Sequence, residues 1–67
     1  MTIKKLKVFI NMPVELVDFD NDVHSGWFVE GKNIYFLLPF DWHKSVYVFR
    51  ASYIKSMKFL TNGQVVK

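Results

Sequence analysis

From Trp27 to Phe49 the chain reads WFVEGKNIYFLLPFDWHKSVYVF, and its apolar residues are too continuous to leave one polar side. An amphipathic helix needs apolar residues at i, i+3, i+4 and i+7 with a polar face opposite. This run offers no such face, so it reads as strands. WFV and IYFLL flank a Glu30-Gly31-Lys32-Asn33 turn, which marks a β-hairpin. The later stretch SVYVFRASYIKSMKF repeats the pattern: Val46, Val48 and Arg50 alternate with Tyr47 and Phe49, and Ile54, Met57 and Phe59 form a second run.

The flanking segments extend this reading. In IKKLKVFIN, Leu6, Val8 and Ile10 alternate as in a strand, although Ile3, Leu6 and Ile10 would also line a short helix; a strand is expected. Pro13 then marks a break, bulge or edge before VELV resumes. Asn62-Gly63 signals a type I′ turn, which brings VVK back as a short terminal strand. About five strands, with turns every 8 to 12 residues and no long helix, predict an all-β fold. The expected architecture is a single domain over residues 1–67, a small five-stranded, strongly bent sheet or barrel of the SH3-like or Sm-like kind. Its expected core comprises Leu6, Val8, Val14, Leu16, Phe28, Ile34, Phe36, Val46, Val48 and Ile54.

Size sharpens the demand on that core. A chain of 67 residues buries only about 60% of its unfolded surface. Cysteine is absent, which removes disulfides and most structural zinc sites as staples. Seven Phe, two Trp and three Tyr supply the packing instead, and a hydrophobic content of 51% leaves enough over to predict a homo-oligomer. Lys4, Lys5 and Lys7 interrupt any secretory apolar region after Met1, and the run IYFLLPF falls far below the ~20 residues of a membrane span. A soluble, cytoplasmic protein with no membrane contact is expected.

Charge is unevenly spread. Residues 1–14 carry three lysines, residues 15–41 carry all six acids against Lys32, and residues 42–67 carry Lys44, Arg50, Lys55, Lys58 and Lys67 with no acid. If the basic segments share a face, that face attracts a polyanion such as nucleic acid.

VYVFRASYIKSMKFL resembles the second signature of the Sm-like RNA-binding proteins, in which a strand ends in a basic and a small residue and an Ile opens the last strand. Arg50, Ala51 and Ile54 occupy those positions, with Met57 as the next core residue. VELV followed by GWF, from Val14 to Phe28, is similar to the first signature, with Gly26 as the glycine of the bent second strand. Ala51 stands where the family has glycine, and the hairpin at Gly31 is shorter than the loop that carries the family's RNA pocket, for which Asn33 alone could stand in. The resemblance implies a barrel, RNA as ligand, and rings formed by strand edges such as VYVF and KFL.

Two stretches carry candidate chemistry. DFDNDVH, from Asp18 to His24, spaces three carboxylates like a calcium loop, but such a loop needs glycine at position 6 and Glu at position 12. Here those positions are Val23 and Val29, so an acidic turn whose side chains bond their own backbone is expected, with no metal and no cofactor. It should lie on a different surface from any bound phosphate. PFDWHKS, from Pro39 to Ser45, gathers Trp42, His43 and Lys44 on a connection, where Trp42 either folds back to cap one end of the barrel or stays exposed and gives single-stranded nucleic acid a stacking surface. No oxyanion-forming turn accompanies Asp41, His43 and Ser45, so no enzyme is expected. The candidate nucleic-acid-binding residues are Lys32, Asn33, Trp42, His43, Lys44 and Arg50, with RNA as the expected partner and a protein docking on the aromatic surface as the alternative.

Overall fold

The computed structural model describes all 67 residues. A short helix, α1 (Ile3–Leu6), runs into a 3₁₀ turn at Lys7–Phe9, and six strands follow: β1 (Pro13–Asp18), β2 (Val23–Glu30), β3 (Tyr35–Leu38), β4 (Tyr47–Phe49), β5 (Ile54–Phe59) and β6 (Val65–Val66). A second 3₁₀ turn, Ala51–Tyr53, joins β4 to β5. All six strands form one antiparallel sheet in the order β4-β3-β2-β1-β5-β6. No helix is long and apolar enough to cross a membrane.

The mostly-β character agrees with the sequence; the five-stranded barrel does not. The sixth strand is the expected VVK return, and it pairs Met57 with Val66 and Lys58 with Val65. β4 and β6 are the two ends of the sheet and do not pair with each other, so the sheet is bent but open. Bending brings the ring of His24 in β2 to within 4.5 Å of Tyr47 and 5.2 Å of Phe49, centroid to centroid. Gly26 lets β2 bend this closely, because a Cβ there would run into the carbonyl of Leu38.

The N-terminal segment is helical rather than extended. Thr2 caps it by accepting from the Lys5 amide, and Leu6 and Phe9, three apart, turn the same way into the core. Both are fully buried, Phe9 stacks on Phe59 at 4.2 Å, and Val8 is left 60% exposed. A strand would have buried Leu6 and Val8 together and lost Phe9. Met1 contributes a further tie: its amino group donates to the carbonyls of Ala51 (3.0 Å) and Ile54 (2.6 Å).

The remaining core comes from β1 (Val14, Leu16), β2 (Phe28), β3 (Tyr35, Leu37), β4 (Phe49) and β5 (Ile54, Met57). The expected alternation is present in β3 and β4, but with the faces exchanged. Tyr35 and Leu37 point inward in place of Ile34 and Phe36, which are half-buried, and Phe49 points inward in place of Val46 and Val48, which are 50% and 56% exposed. The hairpin register decides this: Phe28 faces Leu37 and Tyr35 faces Phe49, so the face that carries Phe28 also carries those residues. The Asn62-Gly63 turn also differs from a type I′ turn, since Gly63 alone takes a positive φ (75°) and its amide donates to Phe59 across a four-residue loop.

Replacing Phe9 with Ala should cost about 3–5 kcal/mol, whereas Val8→Ala should change stability by less than about 0.5 kcal/mol. Urea unfolding of the two variants measures both. Equal losses would mean that the segment packs as an alternating strand.

Candidate functional site

The hairpin turn between β2 and β3 and the corner between β4 and β5 face each other across a cleft of about 360 Å³. Glu30, Asn33 and Tyr35 line it from one side, Arg50 and Ser52 from the other, and Ile3 closes one end. The turn is shaped by two residues with different roles. Asn33 takes a positive φ of 63°, which Asn tolerates, and the Gly31 amide donates to the Ile34 carbonyl at 2.8 Å. Gly31 is needed for space, because a Cβ there would stand 2.5 Å from the Phe36 ring. Tyr35 stacks on Phe28 at 5.0 Å, and its phenol is pushed up by burial and by the negative charge of Glu30.

A second cleft of about 210 Å³ lies between the start of β2 and the β3–β4 loop, lined by Val23, His24, Phe40, Lys44 and Tyr47 among others. Phe40 anchors this loop by meeting the Trp27 ring edge-on at 5.7 Å. Asp41 organises the tip: its carboxylate accepts from the His43 amide and its carbonyl from the Lys44 amide, both at 3.0 Å. Trp42 is therefore held outward at 83% exposure with its ring 3.8 Å from that of His43. It does not fold back to cap the core.

The six candidate residues thus form two groups. Asn33 and Arg50 share the first cleft, with Lys32 beside them on the turn, while Trp42, His43 and Lys44 sit at the far end of the β3–β4 hairpin. At about 3.3 Å per residue, the four residues of β3 alone hold the groups roughly 13 Å apart. One chain does not join them into one site. Lys32, Lys44 and Arg50 make no salt bridge; Lys58 pairs with Glu15, and His24 makes a hydrogen-bonded contact with Asp18. Glu30, Tyr35 and Ser52 were not legible as site residues. Glu30 could have been found as the residue preceding the turn glycine, but nothing in the sequence ties Ser52 to it.

The acidic turn is more structural than its sequence suggests. Asp18 is 2% exposed, and its carboxylate accepts from the Asp20 and Asp22 amides at 2.9 and 3.0 Å and pairs with His24 Nε2 at 3.0 Å. Burial pushes the Asp18 carboxyl up, but the His24 hydrogen bond and the two backbone amides outweigh it and hold the group below its ordinary value. The Asp18, Asp20 and Asp22 carboxylates come within 4.8 Å of one another, close enough for a cation. Protein donors already occupy two of them: Asp18 as above, and Asp20, which accepts the Tyr53 hydroxyl, an interaction that pushes the Tyr53 phenol up to about 12. None of residues 18–22 lines either cleft, but the turn lies near the first. The Phe19 amide donates to the Tyr53 carbonyl at 3.1 Å, so the turn abuts the corner that carries Arg50.

This site defines the chain as a small open antiparallel sheet with a cleft lined by Arg50, Glu30 and Tyr35 and a separate exposed tryptophan loop. Comparison with protein-family models, curated proteins and solved structures found no match.

A carboxylate whose folded pKa is lowered contributes stability above its unfolded pKa and loses it as pH falls through the folded one. Asp18→Asn should therefore melt below the wild type in neutral solution, and the gap should close in strongly acid solution. Thermal melts across that range check the sign. A gap that widened on acidification would place the stabilising charge elsewhere.

Proposed function

We propose that this protein binds single-stranded nucleic acid, RNA in preference to duplex DNA, through the cleft between the β2–β3 turn and the β4–β5 corner. The observation that carries the reading is the convergence of Asn33 and Arg50, seventeen positions apart in the chain, on one cleft. Each wall offers a different contact. Arg50, free of any acidic partner, neutralises a phosphate; the Asn33 amide offers a donor and an acceptor to a base edge; and Glu30 accepts from an exocyclic amine. Tyr35 and Ile3 supply the apolar floor a base needs. The resemblance of the segment from Val46 to Leu60 to the second Sm-like signature supports the same reading, since Arg50-Ala51 ends β4 and Ile54 opens β5. With α1 only four residues long, no recognition helix is available for a major groove. Lys32 extends the positive field, while Trp42, His43 and Lys44 form a second contact surface where a further base stacks.

Binding of a short single-stranded RNA, read by fluorescence anisotropy, should weaken steeply as salt rises. Arg50→Ala should lower the salt slope by about 1, and Trp42→Ala should cost about 1–3 kcal/mol of binding. Trp42→Ala should leave the urea midpoint nearly unchanged, as expected of so exposed a side chain. Binding that ignores both substitutions would remove the proposed site.

A further inference from the structure

The two groups of candidate residues are separated in one chain, yet the free edge of β4 offers a way to join them. Antiparallel ladders alternate bonded and non-bonded pairs. The Phe28 amide and carbonyl are taken by Met12 and Asn11, at 3.0 and 2.6 Å, so Phe28 and Leu37 form a non-bonded pair and Leu37 turns its backbone groups toward β4. By the same alternation Tyr47 and Phe49 bond β3, and Val48 presents its N–H and C=O to the outside. At three residues this edge is short, but it lacks the other usual protections. It carries no proline and no bulge, and no charge lies between Lys44 and Arg50. The opposite end differs: β6 is two residues long and covers β5, so the KFL segment is not an available edge, contrary to the ring arrangement implied by the sequence.

We infer that two copies of this chain pair antiparallel through β4 about a two-fold axis at Val48, and that each nucleic-acid site combines the Asn33–Arg50 cleft of one copy with the Trp42–Lys44 loop of the other. The inference rests on the nucleic-acid reading for its second half only. In this register the two Val48 residues exchange both backbone bonds, Tyr47 faces Phe49 of the second copy, and Val46 faces Arg50. No like charges stand directly opposite, and aromatic and β-branched residues oppose one another, the pairs that favour a sheet. On the outer face the row formed by half-buried Val29 and Phe36 and exposed Val48 continues into its own copy. Any register that brings Arg50 opposite itself places two cations together. Pairing β4 with β6 of another copy would use only two residues of β6, so the isologous contact wins over a head-to-tail ring.

The functional consequence follows from the direction of the strands. Because Arg50 lies opposite Val46 of the second copy, the loop preceding that Val46 arrives beside the first copy's cleft. Trp42 and Lys44 then approach the same ligand as Asn33 and Arg50. Lys44 and Arg50 repel until a polyanion lies between them, so RNA should tighten the dimer.

The cysteine-free chain makes the register testable without any ligand. Sedimentation at micromolar concentration should give a dimer, and Val48→Lys, which sets two lysines face to face, should give a monomer with an unchanged far-UV spectrum and melt. Val48→Cys should oxidise to a covalent dimer, whereas Val46→Cys, equally exposed, should not. For the shared site, Arg50→Ala and Trp42→Ala are each mixed with the other. Exchange should restore wild-type affinity at about one site in four, because each mixed dimer holds one intact composite site. A monomeric wild type, or a Val46→Cys chain that cross-links as readily as Val48→Cys, would overturn the interface. A dimer that binds RNA without rescue on mixing would overturn the shared site and leave the function standing. A dimer that does not bind RNA would overturn the function and leave the interface standing.

Discussion

A buried carboxylate must find donors, and Asp18 finds all of its donors within its own turn and strand pair. Burial alone would push the group toward its neutral form, so the two amides and His24 that hold it ionised are what permit β1 to end inside the molecule. The effect spreads from there. His24, bonded to Asp18, sets its ring against Tyr47 and Phe49 of β4 across the bent sheet. The turn that Asp18 closes then meets the β4–β5 corner through Phe19, Asp20 and Tyr53. Arg50 stands at the start of that corner, so an interaction outside the cleft braces one of its walls.

Two glycines solve different problems in this frame, and neither is used for a positive φ. Gly26 makes room for the Leu38 carbonyl and Gly31 for the Phe36 ring, so both mark close approaches of neighbouring strands. The positive-φ positions at Asn11, Asn21 and Asn33 are taken by asparagine instead. This division matters for function at Asn33, where one residue both turns the hairpin and lines the cleft.

The surface that remains is apolar at an unusual place. Val46, Val48, Trp27, Leu38 and Phe40 are all 39% exposed or more, and they collect on the outer face of β2, β3 and β4 with the adjoining loop. This face lies beside the free edge of β4, and Lys44 and Arg50 stand at the two ends of that edge. Opposite electrostatic neighbours explain why the acids do not neutralise them. The acidic turn spends its carboxylates on Tyr53, His24 and its own backbone, leaving Arg50 and Lys44 unpaired.

The strands, the hairpin at Gly31 and the terminal return at Val65 were legible from sequence, because turn residues and β-branched or aromatic runs act locally; whether Trp42 caps the core or points outward was not. Which face of β3 and β4 is buried was not legible, since both faces are apolar and period alone cannot choose between Phe36 and Leu37; pairing with Phe28 chooses. The N-terminal helix was hidden for a related reason: Leu6, Val8 and Ile10 alternate well enough for a strand, and only the space under Phe59 selects Phe9 over Val8. Of the candidate site, the residue types were readable from charge and aromatic content. Their division into two groups arose from the length and direction of a single strand, which no local signal records.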